Sequence, residues 1–185
     1  LVMIGLSFSL MFGDGASAYL SLKLGEKKKK EAEIGIGNGI LLSTIVSVVF
    51  CAATLIFLPQ LLKLFGCTEN LKSYALTYGS IIAIGLPFSM IGITLNSIIR
   101  ADGSPKYSMV TMVAGAILNT ILDPIFIFVL NKGVEGAAIA TVISQILTFV
   151  LNIAYVKKFK TIKITKDCLK LRVNVCKKIA TLGIS

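Results

Sequence analysis

The chain has 185 residues, 55% of them hydrophobic and only 15% charged, with a mean hydropathy of +0.86 and a formal charge of +10. Soluble domains carry about 25% charged residues, so the composition excludes a soluble enzyme, a secreted disulfide domain and a nucleic-acid-binding module. The positive charge therefore needs a membrane explanation, and no nucleic-acid partner is expected.

Apolar runs place spans near 1–22, 35–58, 73–98, 108–130 and 137–156. A bilayer core takes about 20 residues of helix, so the expected fold is all-α, a polytopic bundle of about five transmembrane helices. The chain opens on Leu1 inside an apolar run, with no charged n-region and no small-residue cleavage site. Residues 1–22 therefore read as a span rather than a signal peptide. A new apolar run starts at 179–185, and the whole reads as an internal piece of a longer membrane protein.

Basic residues set the expected topology. Lys23 and Lys27 to Lys30 lie in 23–34, Arg100 and Lys106 in 99–107, and nine more Lys and Arg in 157–178. The opposite connections hold only Lys63, Lys72 and Lys132. Short cytoplasmic loops collect Lys and Arg, so 23–34, 99–107 and 157–178 are expected on the cytoplasmic side of the cell membrane. The run Lys27–Lys30 also suits anionic headgroups, but a topology signal in a solvated loop is the preferred reading. Residues 157–178 alternate basic with apolar side chains (Ile162, Ile164, Leu169, Leu171, Val173, Val175). That pattern suits a segment lying along the cytoplasmic surface.

Cys51, Cys67, Cys168 and Cys176 show no C-x-x-C spacing, and the chain has no histidine. Zinc and haem signatures are absent, so no cofactor is expected. The usual nucleophile–base pairs are absent too, and no catalytic residue is assigned. Gly35-Ile-Gly-Asn-Gly39 is not taken as a phosphate loop, because no strand precedes it.

Ionisable groups inside a bilayer are candidate functional residues, since a charge at a helix centre costs about 2.5–3.5 kcal/mol on insertion scales. Seven of the nine acids (Glu26, Glu31, Glu33, Glu69, Asp102, Glu135 and Asp167) fall in loops or at helix ends, leaving Asp14 and Asp123. Asp14 lies about eight residues, roughly 12 Å, from the cytoplasmic end of its span. A polar cavity and the cytoplasmic edge are both open to it. Asn119 precedes Asp123 by four residues, so the two share a helix face. Pro124 follows and cannot donate to the Thr120 carbonyl, which predicts a kink. Carboxylate, carboxamide and freed carbonyl within one turn suit Na⁺ or a proton. Pro87 predicts a second kink, read mainly as shape, and frees the Ala83 carbonyl. Gly136/Ala140 and Ala137/Thr141 have the small-residue spacing of a helix-packing face, which by itself makes Thr141 a packing residue. The spans carry no interior Lys or Arg.

Three segments then resemble one known family. Arg100-Ala-Asp-Gly-Ser-Pro105, Asn119-x-x-Leu-Asp-Pro-x-Phe-Ile127 and Gly133-Val-x-Gly-Ala-Ala-Ile-Ala-Thr-x-Ile-Ser-Gln145 follow in the order and spacing of multidrug and toxic compound extrusion (MATE) transporters. Ser17-Ala-Tyr-Leu-Ser-Leu-Lys-Leu-Gly25 fits that family's second helix, and Leu182-Gly-Ile184 the start of its seventh. The resemblance implies helices two to six of a six-helix lobe over 1–156, an inter-lobe linker over 157–178 and the next helix from 179. It implies export of small organic, often cationic, compounds in exchange for Na⁺ or H⁺. It also implies partners within the same protein, namely a first helix and a C-terminal lobe. By the same resemblance Asn119, Asp123 and Thr141 form a cation site, completed by an Asp of the first helix; Asp14 has no counterpart in that pattern. A flippase for a lipid or lipid-linked saccharide is the alternative, and it would want an arginine-lined cavity. An intramembrane enzyme would need paired acids or a nucleophile with its base, which the spans do not offer.

Overall fold

The computed structural model describes residues 2–64, 68–162, 168 and 170–184. Leu1, Cys67, Ile164, Asp167, Leu169 and Ser185 lie outside them. Six α-helices follow one another: α1 (Val2–Gly25), α2 (Lys29–Leu64), α3 (Glu69–Ala101), α4 (Pro105–Pro124), α5 (Gly133–Val156) and α6 (Val173–Ile184), with a π-helical segment, Ile125–Val129, continuing α4. No strand is present among the described residues.

The helices overrun the apolar runs that located them. α2 has 36 residues and α3 has 33, because backbone hydrogen bonding continues past the hydrocarbon edge wherever helix-forming residues continue. α2 also runs through Pro59, and α3 runs through Pro87 as one helix. Among the described residues, four segments are long and apolar enough to cross a membrane: Lys29–Leu64, Leu71–Ala101, Pro105–Val129 and Gly133–Val156. The fifth expected span is α1, 24 residues long and so about 36 Å. Asp14 and four serines interrupt its apolar run.

α3 is the central helix, packing on α1, α2 and α5, while α4 packs mainly on α5. Large apolar side chains such as Val49, Ile56, Val113 and Phe128 stay exposed, as expected of surfaces turned to lipid. Between helices the contacts are polar and small. The Ser43 and Thr94 hydroxyls lie 2.9 Å apart, Thr94 Oγ1 donates to the Ser9 carbonyl, and Asn152 Nδ2 donates to the Gly92 carbonyl at 2.9 Å. Such bonds contribute about 0.6 kcal/mol each in membrane bundles.

One cluster of buried apolar side chains sits at one end of the bundle. There Ala16, Tyr19 and Leu20 of α1 meet Ala32 and Ile36 of α2, Ile98 of α3, Ile162 and Ile179. α6 begins at Val173, six residues before the apolar run at 179. It crosses α1 so closely that a Cβ on Gly15 would overlap the Ile179 carbonyl. The basic segments converge on this same end. Asn38 donates to the Lys170 carbonyl at 3.2 Å and accepts from the Arg172 N–H at 2.6 Å. Asp102, only 1% exposed, accepts from Tyr155 Oη (3.0 Å), Lys160 N (2.8 Å), Thr161 N (2.9 Å) and the Thr161 hydroxyl.

Part of the basic loop is spent internally. Lys23 Nζ lies 2.8 Å from Glu26 and 2.9 Å from Glu31, and Lys28 pairs with Glu26 at 3.1 Å. Its hydrogen bonds to Glu26 and then Glu31 hold the Lys23 ammonium above the usual lysine range. Lys23 is therefore an internal clamp between α1 and α2, whereas Lys27, Lys29 and Lys30 face solvent.

Candidate functional site

A cavity of about 430 Å³ opens among α1, α3, α4 and α5. Leu6 and Leu10 of α1, Phe88 of α3 and Met112 of α4 supply apolar wall; Asn96 and Ser97 of α3, and Thr141, Gln145 and Thr148 of α5, supply polar atoms. Asn119 and Thr141, assigned from sequence to one site, both line this cavity.

Asn119 Nδ2 donates to Asp123 Oδ1 at 3.2 Å. One helical turn brings carboxamide and carboxylate together, as four-residue spacing requires. Asp123 is half-buried and lies one turn beyond the cavity lining. The α-helix ends at Pro124, and the chain widens into the π-helical segment, closed by Leu130 N donating to the Ile125 carbonyl at 2.9 Å. The missing proline N–H is the physical cause of that change. α5 starts at Gly133 (φ 51°), two residues after Asn131 (φ 50°); these left-handed residues reverse the chain and lay α5 against the π-helical segment. Thr141 is thereby brought to the same cavity, its hydroxyl donating to the Ala137 carbonyl at 2.9 Å and keeping its lone pairs. Carboxylate, amide and hydroxyl oxygens are the hard donors that alkali cations and protons use. Among the described residues, no three His, Cys, Asp or Glu gather as a transition-metal site would need.

Asp14 belongs elsewhere. Its carboxylate, 58% exposed, lies 3.7 Å from the Arg100 guanidinium. α3 ends one residue past Arg100, while α1 runs on for about 16 Å beyond Asp14. Asp14 is thus level with the end of α3, and α1 projects past it. Arg100 is within α3, which extends beyond the apolar run 73–98, and its side chain lines the cavity.

Neutral polar residues inside the spans escaped a search built on charge. Gln145 lines the cavity with its Oε1 buried and unpartnered. Asn96 donates to the Ser108 carbonyl (3.1 Å) and Thr111 Oγ1 (3.3 Å) and accepts from Ser108 Oγ (2.6 Å), forming a polar floor between α3 and α4. A carboxamide in the middle of an apolar run is the signal that would have found both.

Comparison with known proteins gives a consistent family. The MatE profile matches residues 1–125. The chain is 35% identical over 130 residues to "Multidrug export protein MepA" of Staphylococcus aureus (strain NCTC 8325 / PS 47), covering 68% of this chain and 28% of that protein. It is 30% identical over 131 residues to the MepA of Staphylococcus haemolyticus (strain JCSC1435), covering 71% and 29%. Among solved structures, the inward-facing conformation of a multidrug resistance MATE family transporter of the MOP superfamily superposes with a TM-score of 0.92 at 27% identity, covering 99% of this chain and 42% of that one. The chain spans less than a third of the length of the curated relatives it matches.

Proposed function

The chain belongs to the MatE family of multi-pass proteins of the cell membrane, and from that premise we propose that it is the N-terminal, cation-coupled lobe of an antiporter that exports small organic compounds. In this reading residues 1–156 form the lobe, 157–178 carry the chain across the cytoplasmic face, and the following helix leads into a second lobe that faces this one. The rest of the full-length protein, a first helix included, is the partner that completes the transport path. The protein transports rather than catalyses, and it needs no cofactor beyond its coupling ion.

One observation carries the proposal. Asn119 and Asp123 are hydrogen-bonded one turn apart at the point where α4 opens into the π-helical segment, and Asn119 shares a cavity with Thr141. Na⁺ or H⁺ entering from outside neutralises Asp123 and favours the state that releases substrate outward. The membrane potential contributes about 2.3 kcal/mol per charge per 100 mV to that step. The ion drives the cycle only through unequal affinities for the two states.

The test is transport by the full-length protein in proteoliposomes, following a fluorescent organic cation under an imposed Na⁺ or H⁺ gradient. We expect movement with one gradient and none without it. A second reading, flipping of a lipid or lipid-linked saccharide, draws support from Arg100 on the cavity wall. Failure of the dye to move under either gradient would reject the antiporter and leave that reading first.

A further inference from the structure

We propose that a groove between α1 and α6 holds the phosphate headgroup of an anionic phospholipid, with Lys177 and Lys178 as the residues that receive it. The groove encloses about 380 Å³, with Leu22, Lys23 and Glu26 on one wall and Lys177, Lys178 and Leu182 on the other. It shares no residue with the cavity lined by Asn119 and Thr141. The inference therefore goes beyond the transport reading and depends only on the cytoplasmic placement of the basic segments. Charge selects the occupant. Glu26, the acid on the lining, is already paired with Lys23 at 2.8 Å and Lys28 at 3.1 Å, and Lys23 also meets Glu31 at 2.9 Å. Two lysines and two glutamates balance there. Lys177 and Lys178 are both exposed, and neither ammonium has an ion-pair partner among the described residues.

Depth selects it further. α6 runs antiparallel to α1: a Cβ on Gly15 would overlap the Ile179 carbonyl, and one on Gly183 would overlap the Met11 carbonyl. That register sets Ala180 level with Asp14, and so with the end of α3. Lys177 and Lys178 lie two to three residues before Ala180, about 3–5 Å toward the basic end. Leu182 and Ile184, both exposed, lie on the other side of that level, toward the membrane. Unpaired charge on one side and bare apolar surface on the other match a phospholipid: phosphate at the lysines, acyl chain along Leu182 and Ile184. A lysine near an anionic membrane surface contributes about tenfold or less in affinity, so a pair in one groove gives a measurable preference. A soluble anion would use the lysines alone and leave the apolar half of the site bare.

The test counts lipids bound to the full-length protein in detergent by native mass spectrometry, titrating phosphatidylglycerol and phosphatidylcholine separately. The parent is expected to bind phosphatidylglycerol about tenfold more tightly. Lys177→Gln combined with Lys178→Gln should remove that preference and leave phosphatidylcholine within about twofold. Lys177→Arg with Lys178→Arg should keep it, because the charge stays. Lys29→Gln with Lys30→Gln removes the same charge from the solvent-facing loop and should change neither lipid by more than about twofold. If the double Gln variant fails to fold, Lys177→Gln and Lys178→Gln singly should each lose about threefold. Equal losses in the two Gln pairs would mean that the lysines act only through the general surface potential, and that overturns the proposal. Full displacement of the lipid by millimolar inorganic phosphate also overturns it, since the groove would then be a site for soluble anions. So does a parent with no preference for phosphatidylglycerol, a result that leaves the transport reading untouched.

Discussion

Asp123→Asn is expected to abolish gradient-driven dye movement by the full-length protein while leaving its thermal unfolding in detergent near that of the parent. The two halves of that result have separate causes. The amide keeps the size of the carboxyl group and an oxygen that accepts from Asn119 Nδ2, so the contact seen at 3.2 Å survives and the helix packing is undisturbed. What disappears is the negative charge. A unit charge pair about 4 Å apart at an effective dielectric of about 20 interacts by about 4 kcal/mol, which is about a thousandfold in cation affinity. A gradient then has nothing to load. Dye movement equal to the parent's under the same gradient would make Asp123 a structural residue. Asn119→Ala should give a weaker form of the same defect, since it removes one oxygen and the bond that orients the carboxylate.

Asp102→Ala is expected to cost about 3 kcal/mol of stability. Its carboxylate is almost completely buried and receives four hydrogen bonds, two of them from the backbone of the segment that leaves α5. Truncation removes the acceptor of the Lys160 and Thr161 N–H groups and one partner of the Tyr155 hydroxyl. The segment after α5 should then detach first. Thermal unfolding of the full-length protein in detergent, with limited proteolysis after Val156, reads this directly. Asp102→Asn keeps an acceptor oxygen and should lose about half as much. A melting curve for Asp102→Ala that overlays the parent's would contradict the account.

These two acids also mark what was legible in the sequence. Asp123 was found because a charge in an apolar run has a local signature: Asn119 and Pro124 lie within five residues of it. Asp102 has none, since its partners lie more than 50 residues away in sequence, and it reads as one more loop acid. Thr141 spans both cases. Its spacing from Ala137 describes a packing helix equally well, and only the fold brings it to the cavity of Asn119.

Segment positions were legible, but segment ends were not. Hydrophobicity locates the lipid-crossing part of a helix but not where the backbone stops, so α3 extends to Ala101 and carries Arg100 onto the cavity wall. Asn38 shows the cost of judging a motif by a template. Gly35-Ile-Gly-Asn-Gly39 is no phosphate loop, yet Gly37 lets the Cys168 carbonyl come so near that a Cβ there would overlap it. Asn38 then binds the Lys170 carbonyl and the Arg172 N–H. The run is a docking strip that ties the segment before α6 to α2, a role defined only by what lands on it.

The account turns on one coupling, between a cation at Asp123 and a ligand in the adjoining cavity. Linkage makes that coupling measurable at equilibrium. The most direct measurement is the affinity of the full-length protein in detergent for a fluorescent organic cation. It is titrated with Na⁺ at fixed pH and, separately, across pH without Na⁺, in the parent and in Asp123→Asn. The account predicts that dye affinity falls as one of the two ions is raised in the parent and stays flat in the variant. The same ion dependence in both proteins, or none in the parent, would contradict it.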